Sequence, residues 1–199
     1  MRLVACALLV VCCTAGCSAG GGGGSGSGAA PTTTAPGAPA ADPTCTQFHG
    51  TGGPLQSFGD RPPALLVGAN VTQVGCLDRV TFDFDSLGDG TPPGYTVSYR
   101  DLGRDPLLNA AGGVIELPSN VGLIVALKPV ATVDTRLPDA PPTYLGPLRL
   151  SYGETHHIQV VYKLEDTPDT VTWVIGLDSI RPFVVDSAMQ PTRVSVYIG

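Results

Sequence analysis

From Ala64 onward, apolar and polar residues alternate in short windows closed off by glycine and proline. A period of two is the pattern of strands with one face on a core, and it leaves little room for helices. In Val80-Thr81-Phe82-Asp83-Phe84-Asp85 the apolar side chains share one face, with threonine and aspartate on the other. Tyr95 to Arg100, Ile158 to Lys163, Val171 to Ile175 and Val194 to Ile198 repeat the arrangement. Further strands are predicted at 64–74, 113–117, 121–127, 144–150 and 182–186. Turn residues separate them, densely at Gly88 to Gly94, Asp105-Pro106, Pro138 to Pro142 and Asp166 to Asp169. The best helical window, Asp105 to Ala111, reads as one turn or a loop. The predicted fold is all-β: an antiparallel sandwich or partly open barrel, built as a single domain over 45–199.

The first 44 residues follow other rules. Residues 1–16 carry one positive charge, Arg2, and then an apolar run from Leu3 to Cys13, too short to span a bilayer but suited to a secretion signal. The run ends in Thr14-Ala15-Gly16-Cys17, which resembles the lipobox of bacterial lipoproteins. There, small residues precede a cysteine whose thiol takes the lipid. Thr14 stands where an aliphatic residue is usual, so ordinary cleavage after Ala19 is the alternative. Residues 17–44 are rich in Gly, Ser, Thr, Pro and Ala and contain no large apolar side chain. Such a segment cannot offset chain entropy by burial and reads as a disordered tether with a reach of about 30 Å. A diacylglycerol group on Cys17 supplies two chains, enough for a stable membrane anchor on the outer face of the cytoplasmic membrane.

Six cysteines are present. Cys6, Cys12 and Cys13 lie in the signal and Cys17 is the lipid site, which leaves Cys45 and Cys76 in an exported domain. An even remainder in an oxidising compartment predicts a Cys45–Cys76 disulfide.

Charge narrows the function. The net charge is −6 with 14% charged residues, and the only lysines are Lys128 and Lys163; a nucleic-acid binder needs a basic surface instead. Asp83, Asp85 and Asp89 invite a calcium reading, but the spacing departs from an EF-hand loop and a solvated acidic face accounts for them. His156 and His157 are adjacent, so on a strand they point to opposite faces and cannot chelate one ion together. No nucleophile elbow, Ser-x-x-Lys pair or phosphate-binding glycine loop occurs, so neither a catalytic residue nor a cofactor is assigned. Trp173, the single tryptophan, alternates in phase with Val171 and Ile175 and is predicted in the core. Tyr197 is out of phase with the apolar face of its strand and is a candidate ligand contact. Arg79 and Arg193, each beside a core-facing valine, are candidates too, and are expected to pair with Asp78 or Asp83 across strands.

Several of these segments resemble the AMIN-like domains of exported actinobacterial proteins and lipoproteins. Leu77 to Phe84 is similar to the opening strand, and Gly94-Tyr95-x-Val97-x-Tyr99 to the next. Thr172 to Asp178 with Pro182-Phe183 resembles the late Trp-containing strand and its turn, and Pro191-Thr192-Arg193-Val194-x-Val196 the closing strand. The resemblance runs in order through most of 64–199. It implies a non-catalytic β-sandwich that targets its carrier to the cell envelope, in several cases through peptidoglycan. The chain is read as a binding module for peptidoglycan or another wall polymer; the alternatives are an accessory subunit docking onto an envelope protein and a hydrolase whose site the sequence does not mark. No site residue carries over with the resemblance.

Overall fold

The computed structural model describes residues 48–109 and 111–199. The signal, the tether, Cys17 and Cys45 lie outside the described residues. Ten strands follow one another: β1 (Leu55–Ser57), β2 (Ala64–Val74), β3 (Leu77–Ser86), β4 (Gly94–Asp101), β5 (Val121–Lys128), β6 (Val130–Ala131), β7 (Ile158–Asp166), β8 (Val171–Leu177), β9 (Phe183–Met189) and β10 (Thr192–Ile198). They form two five-stranded sheets. Sheet A has the order β6-β2-β3-β10-β9 and sheet B the order β1-β4-β5-β8-β7. All neighbours are antiparallel except the short β2–β6 pair. The all-β sandwich predicted from the alternation is the observed fold, and no helix occurs among the described residues.

The alternation also sets the layers. Val80, Phe82 and Phe84 of β3 and Val194, Val196 and Ile198 of β10 point inward from sheet A, and all are buried. Facing them from sheet B are Val97, Leu123, Val125, Leu127, Val171, Trp173, Ile175 and Leu177. Trp173 is fully buried at the centre, with the Phe82 ring centroid 5.5 Å away and the Tyr144 ring set edge-on at 5.7 Å. Aromatic contacts of this kind add about 0.5–1.5 kcal/mol each beyond the area they bury.

Two polar devices hold the sheets against one another. Asp78, near the start of β3, is in phase with Val80 and Phe82 and fully buried. Its carboxylate accepts the backbone N–H groups of His156 (2.9 Å), His157 (2.7 Å) and Ile158 (3.0 Å), where the chain enters β7 of sheet B. One side chain of sheet A therefore fixes the start of an edge strand of sheet B. Removing it would leave the buried Ile158 N–H without its partner, at roughly 1–3 kcal/mol, and release the part-buried amides of His156 and His157. In the opposite direction, Tyr99 on β4 of sheet B donates its hydroxyl proton to the Arg181 carbonyl and accepts the Arg181 N–H at 3.1 Å, just before β9 of sheet A.

Four details depart from the sequence reading. Residues 113–117 form no strand. Asn109 accepts the N–H groups of Ala111 and Gly113, and the segment folds on itself so that Val114 makes a single bridge to Leu108. Residues 144–150 form no strand either. Tyr144 turns in to Trp173, Pro147 has no N–H to contribute, and only the bonds from Leu150 N–H to Val161 and from Lys163 N–H to Leu148 lie along β7. The very short β1 and β6, beside Pro54 and Pro129, carry too few residues to show a period. His156 and His157 lie in the segment leading into β7 rather than on the strand.

The β2–β3 hairpin turns through Gly75-Cys76, with Gly75 at φ 62°, a conformation that glycine adopts without steric cost. Cys76 thus sits at the tip of this hairpin.

Candidate functional site

The outer face of sheet A follows from the register of four strands. Thr72 of β2 lies opposite Arg79 of β3, which lies opposite Tyr197 of β10, itself opposite Val184 of β9. The next outward row is Asn70, Thr81, Ser195 and Asp186. The third is Gly68, Asp83, Arg193 and Ala188. The three residues singled out in the sequence, Arg79, Arg193 and Tyr197, therefore share one face although more than a hundred residues separate the first from the other two. Rows on one strand face are about 7 Å apart, so the platform extends about 14 Å along the strands.

Its chemistry is hydrogen bonding with one aromatic ring. Asn70, Thr72 and Asp186 are exposed, and Arg79, Arg193 and Tyr197 half-buried. The Arg79 guanidinium stands 5.9 Å from the centroid of the Tyr197 ring, and its Nε donates to the Thr72 hydroxyl at 3.2 Å. In the middle row the hydroxyls of Thr81 and Ser195 are buried and bond to one another at 3.2 Å, so this row presents Asn70 and Asp186 to solvent. At the far end the Nε of Arg193 lies 3.5 Å from a carboxylate oxygen of Asp83, and the Asn70 amide donates to the other oxygen at 3.4 Å. The expected arginine pairing thus falls on Asp83. Asp78 faces inward and takes backbone N–H groups instead.

The outer side of sheet B is closed along β8. Every residue of β8 is buried, including the outward-pointing Thr172, Val174 and Gly176. The β4–β5 loop reaches over part of this face: a Cβ on Gly122 would lie 3.0 Å from Leu102, and one on Gly176 would lie 2.9 Å from Ser119.

One cleft of about 320 Å³ lies between residues 131–135 and 166–168, and its charges are paired internally. Its Asp166 accepts the Thr132 hydroxyl on both oxygens and the Lys163 ammonium at 2.6 Å, while Arg136 forks onto Asp134 nearby. Asp85 is exposed, and Asp89 accepts the Thr91 N–H in its loop.

Residues 64–199 match the AMIN-like domain. The chain belongs to this family. No curated protein and no solved structure matched it. AMIN-like domains are non-catalytic binding modules associated with peptidoglycan and the cell wall. The matched span of this AMIN-like domain takes in all four strands that build the outer face of sheet A; β1, which completes sheet B, precedes it.

Sequence reasoning missed one cluster at the end of the sandwich where Tyr99 meets Arg181. Arg181 forks onto Asp178 at 2.8 Å and 3.2 Å, Ser179 donates to the same carboxylate, and the Nδ1 of His157 lies 3.5 Å away. The Arg181 guanidinium above all, with smaller contributions from Ser179 and His157, outweighs burial and lowers the Asp178 carboxyl from its usual 3.8 to about 2. The i, i+3 spacing of Asp178 and Arg181 was the available signal. Because the folded state favours the ionised carboxylate, its stabilisation is complete above the unfolded value and lost as pH falls through the folded one. Thermal melts should therefore show Asp178→Asn less stable than the parent chain at neutral pH, with the gap closing between about pH 4 and pH 2. A constant gap across that window would contradict the assignment.

Proposed function

We propose that this AMIN-like domain is a non-catalytic module of the cell envelope that holds a wall polymer, peptidoglycan in the first instance, on the outer face of sheet A. The observation that carries the reading is the convergence of Arg79, Thr72, Asn70, Arg193 and Tyr197, all exposed or half-buried, on one face of sheet A. Polar side chains on a sheet face suit the many hydroxyls of a glycan, and an aromatic ring suits its C–H face. Tyr197, Arg79 and Arg193 are the ligand contacts of this reading.

Delivery completes it. The leader at 1–16 directs export, Cys17 carries the lipid, residues 17–44 form the tether, and the domain over 45–199 is stapled by a Cys45–Cys76 disulfide. The chain is then held on the outer face of the cytoplasmic membrane, within reach of the wall. The position of Cys76 at a hairpin tip supports the disulfide, because a tip is open to a cysteine arriving from the tether side.

A second reading, docking onto an envelope protein by strand addition, draws on β9. This strand forms one edge of sheet A, and the outward backbone groups of Phe183 are bonded to Thr51. Alternation leaves those of Val185 and Ser187 on the same edge.

Purified insoluble peptidoglycan should pull the chain down, and Tyr197→Ala should weaken retention about fivefold, the value of one aromatic contact. A chain that stays in the supernatant at every salt concentration and pH would refute wall binding. For the anchor, Cys17→Ser should move the protein from the membrane fraction to the medium, and the released domain should show no alkylatable thiol before reduction. Unchanged membrane retention, or two free thiols, would overturn those assignments.

A further inference from the structure

We infer that the corner formed by Arg79 and Tyr197 takes a carboxylate carried on a pyranose ring, so that the polymer held on sheet A is an acidic glycan. This rests on the platform reading above and adds the chemical class of its ligand.

Charge accounting points there. Among the described residues, Arg100, Arg104, Arg136, Arg181, Lys128 and Lys163 each lie within ion-pair distance of an aspartate. Arg193 is 3.5 Å from Asp83. Arg61, Arg79 and Arg149 have no such neighbour among them; Arg61 donates to the Ser57 hydroxyl and the Pro92 carbonyl, Arg149 stands exposed in the segment before β7, and Arg79 is the one of the three on the outer face of sheet A. The Nε of Arg79 is taken by Thr72, which leaves the two terminal nitrogens of the fork, and the nearest aromatic ring is that of Tyr197. Of the two arginines on this face, Arg193 has Asp83 beside it and Arg79 has no carboxylate.

A neutral sugar laid over this corner would remove water from the guanidinium without replacing its charge-stabilising contacts, which is unfavourable. A carboxylate restores them through charge-assisted hydrogen bonds, two at once if it meets the fork squarely. The ring of Tyr197 beside the fork supplies a surface for the sugar that bears the carboxylate. One row further, the Thr81 and Ser195 hydroxyls are buried and bonded to one another, so the polar contacts of this corner come from Arg79 and Thr72. Asp186 stands in that same row on β9 and is exposed, so a second acidic group placed there is repelled. The acidic ring is thereby directed to the Arg79 end. A free peptide also offers carboxylates, but no ring for Tyr197 to lie against.

The test uses the full chain and three probes: glycan strands stripped of stem peptide, so that each muramic acid carries a free lactyl carboxylate; the same strands with that carboxylate capped as an amide; and free stem peptides as competitors. The uncapped strands should bind about tenfold more tightly than the capped ones, in keeping with one charge-assisted contact. The difference should shrink as salt is raised. Arg79→Gln, with an unchanged circular dichroism spectrum, should abolish it. Equal binding of capped and uncapped strands would overturn the inference while leaving the glycan platform in place, as would displacement by stem peptides alone. Failure of both strand types and of intact peptidoglycan to bind would remove the platform reading as well.

Discussion

A single buried carboxylate sets the relation between the two halves of this protein. Asp78 belongs to sheet A by its strand and to sheet B by its three hydrogen bonds. Burying an ionised group is costly unless donors replace its water, and here three backbone N–H groups converge on it. The same contact meets the needs of the chain entering β7, whose first amides have no partner strand on that side. Tyr99 makes the reciprocal tie from sheet B to the approach of β9. The hydrophobic layer around Trp173 supplies the bulk of the driving force but has no direction, whereas these polar ties fix which residues face which.

Function depends on that fixed relation. Because inward positions of β3 and β10 are committed to the core, the outward ones are free to carry chemistry, and they carry arginine, threonine, serine, aspartate and tyrosine in three rows. In sheet B, β8 is buried on both sides. The end cleft near Asp166 spends its charges on its own ion pairs. The outward positions of β3 and β10 bring Arg79, Arg193 and Tyr197 onto one face, where Arg193 has Asp83 beside it and Arg79 has no carboxylate partner. This agrees with membership of the AMIN-like family, whose domains bind and do not catalyse.

Much of the fold was legible because each long strand writes its own period. The alternation in β3 and β10 separated core valines from Arg79, Arg193 and Tyr197. It could not show that the two strands are neighbours, since pairing between residues so far apart is decided by the packed sheet and not by local pattern. Segment 144–150 misled because Tyr144 and Leu150 look like strand residues while Pro147 and the pull of Trp173 hold them otherwise. Asp78 left a trace that goes unnoticed when the period is read only from Val80: it shares the phase of Val80, Phe82 and Phe84, and an aspartate in step with core residues must find donors. The donors themselves are backbone groups some eighty residues away, which no sequence pattern marks.

Native-state hydrogen exchange tests the role of Asp78 most directly. The amides of His156, His157 and Ile158 precede or begin an edge strand, and without the carboxylate they would exchange as loop amides do. The account predicts that they open only with the whole domain, at the protection level of β8. Exchange at the rate of an exposed loop, with β8 still protected, would show that the two sheets are not joined through this residue.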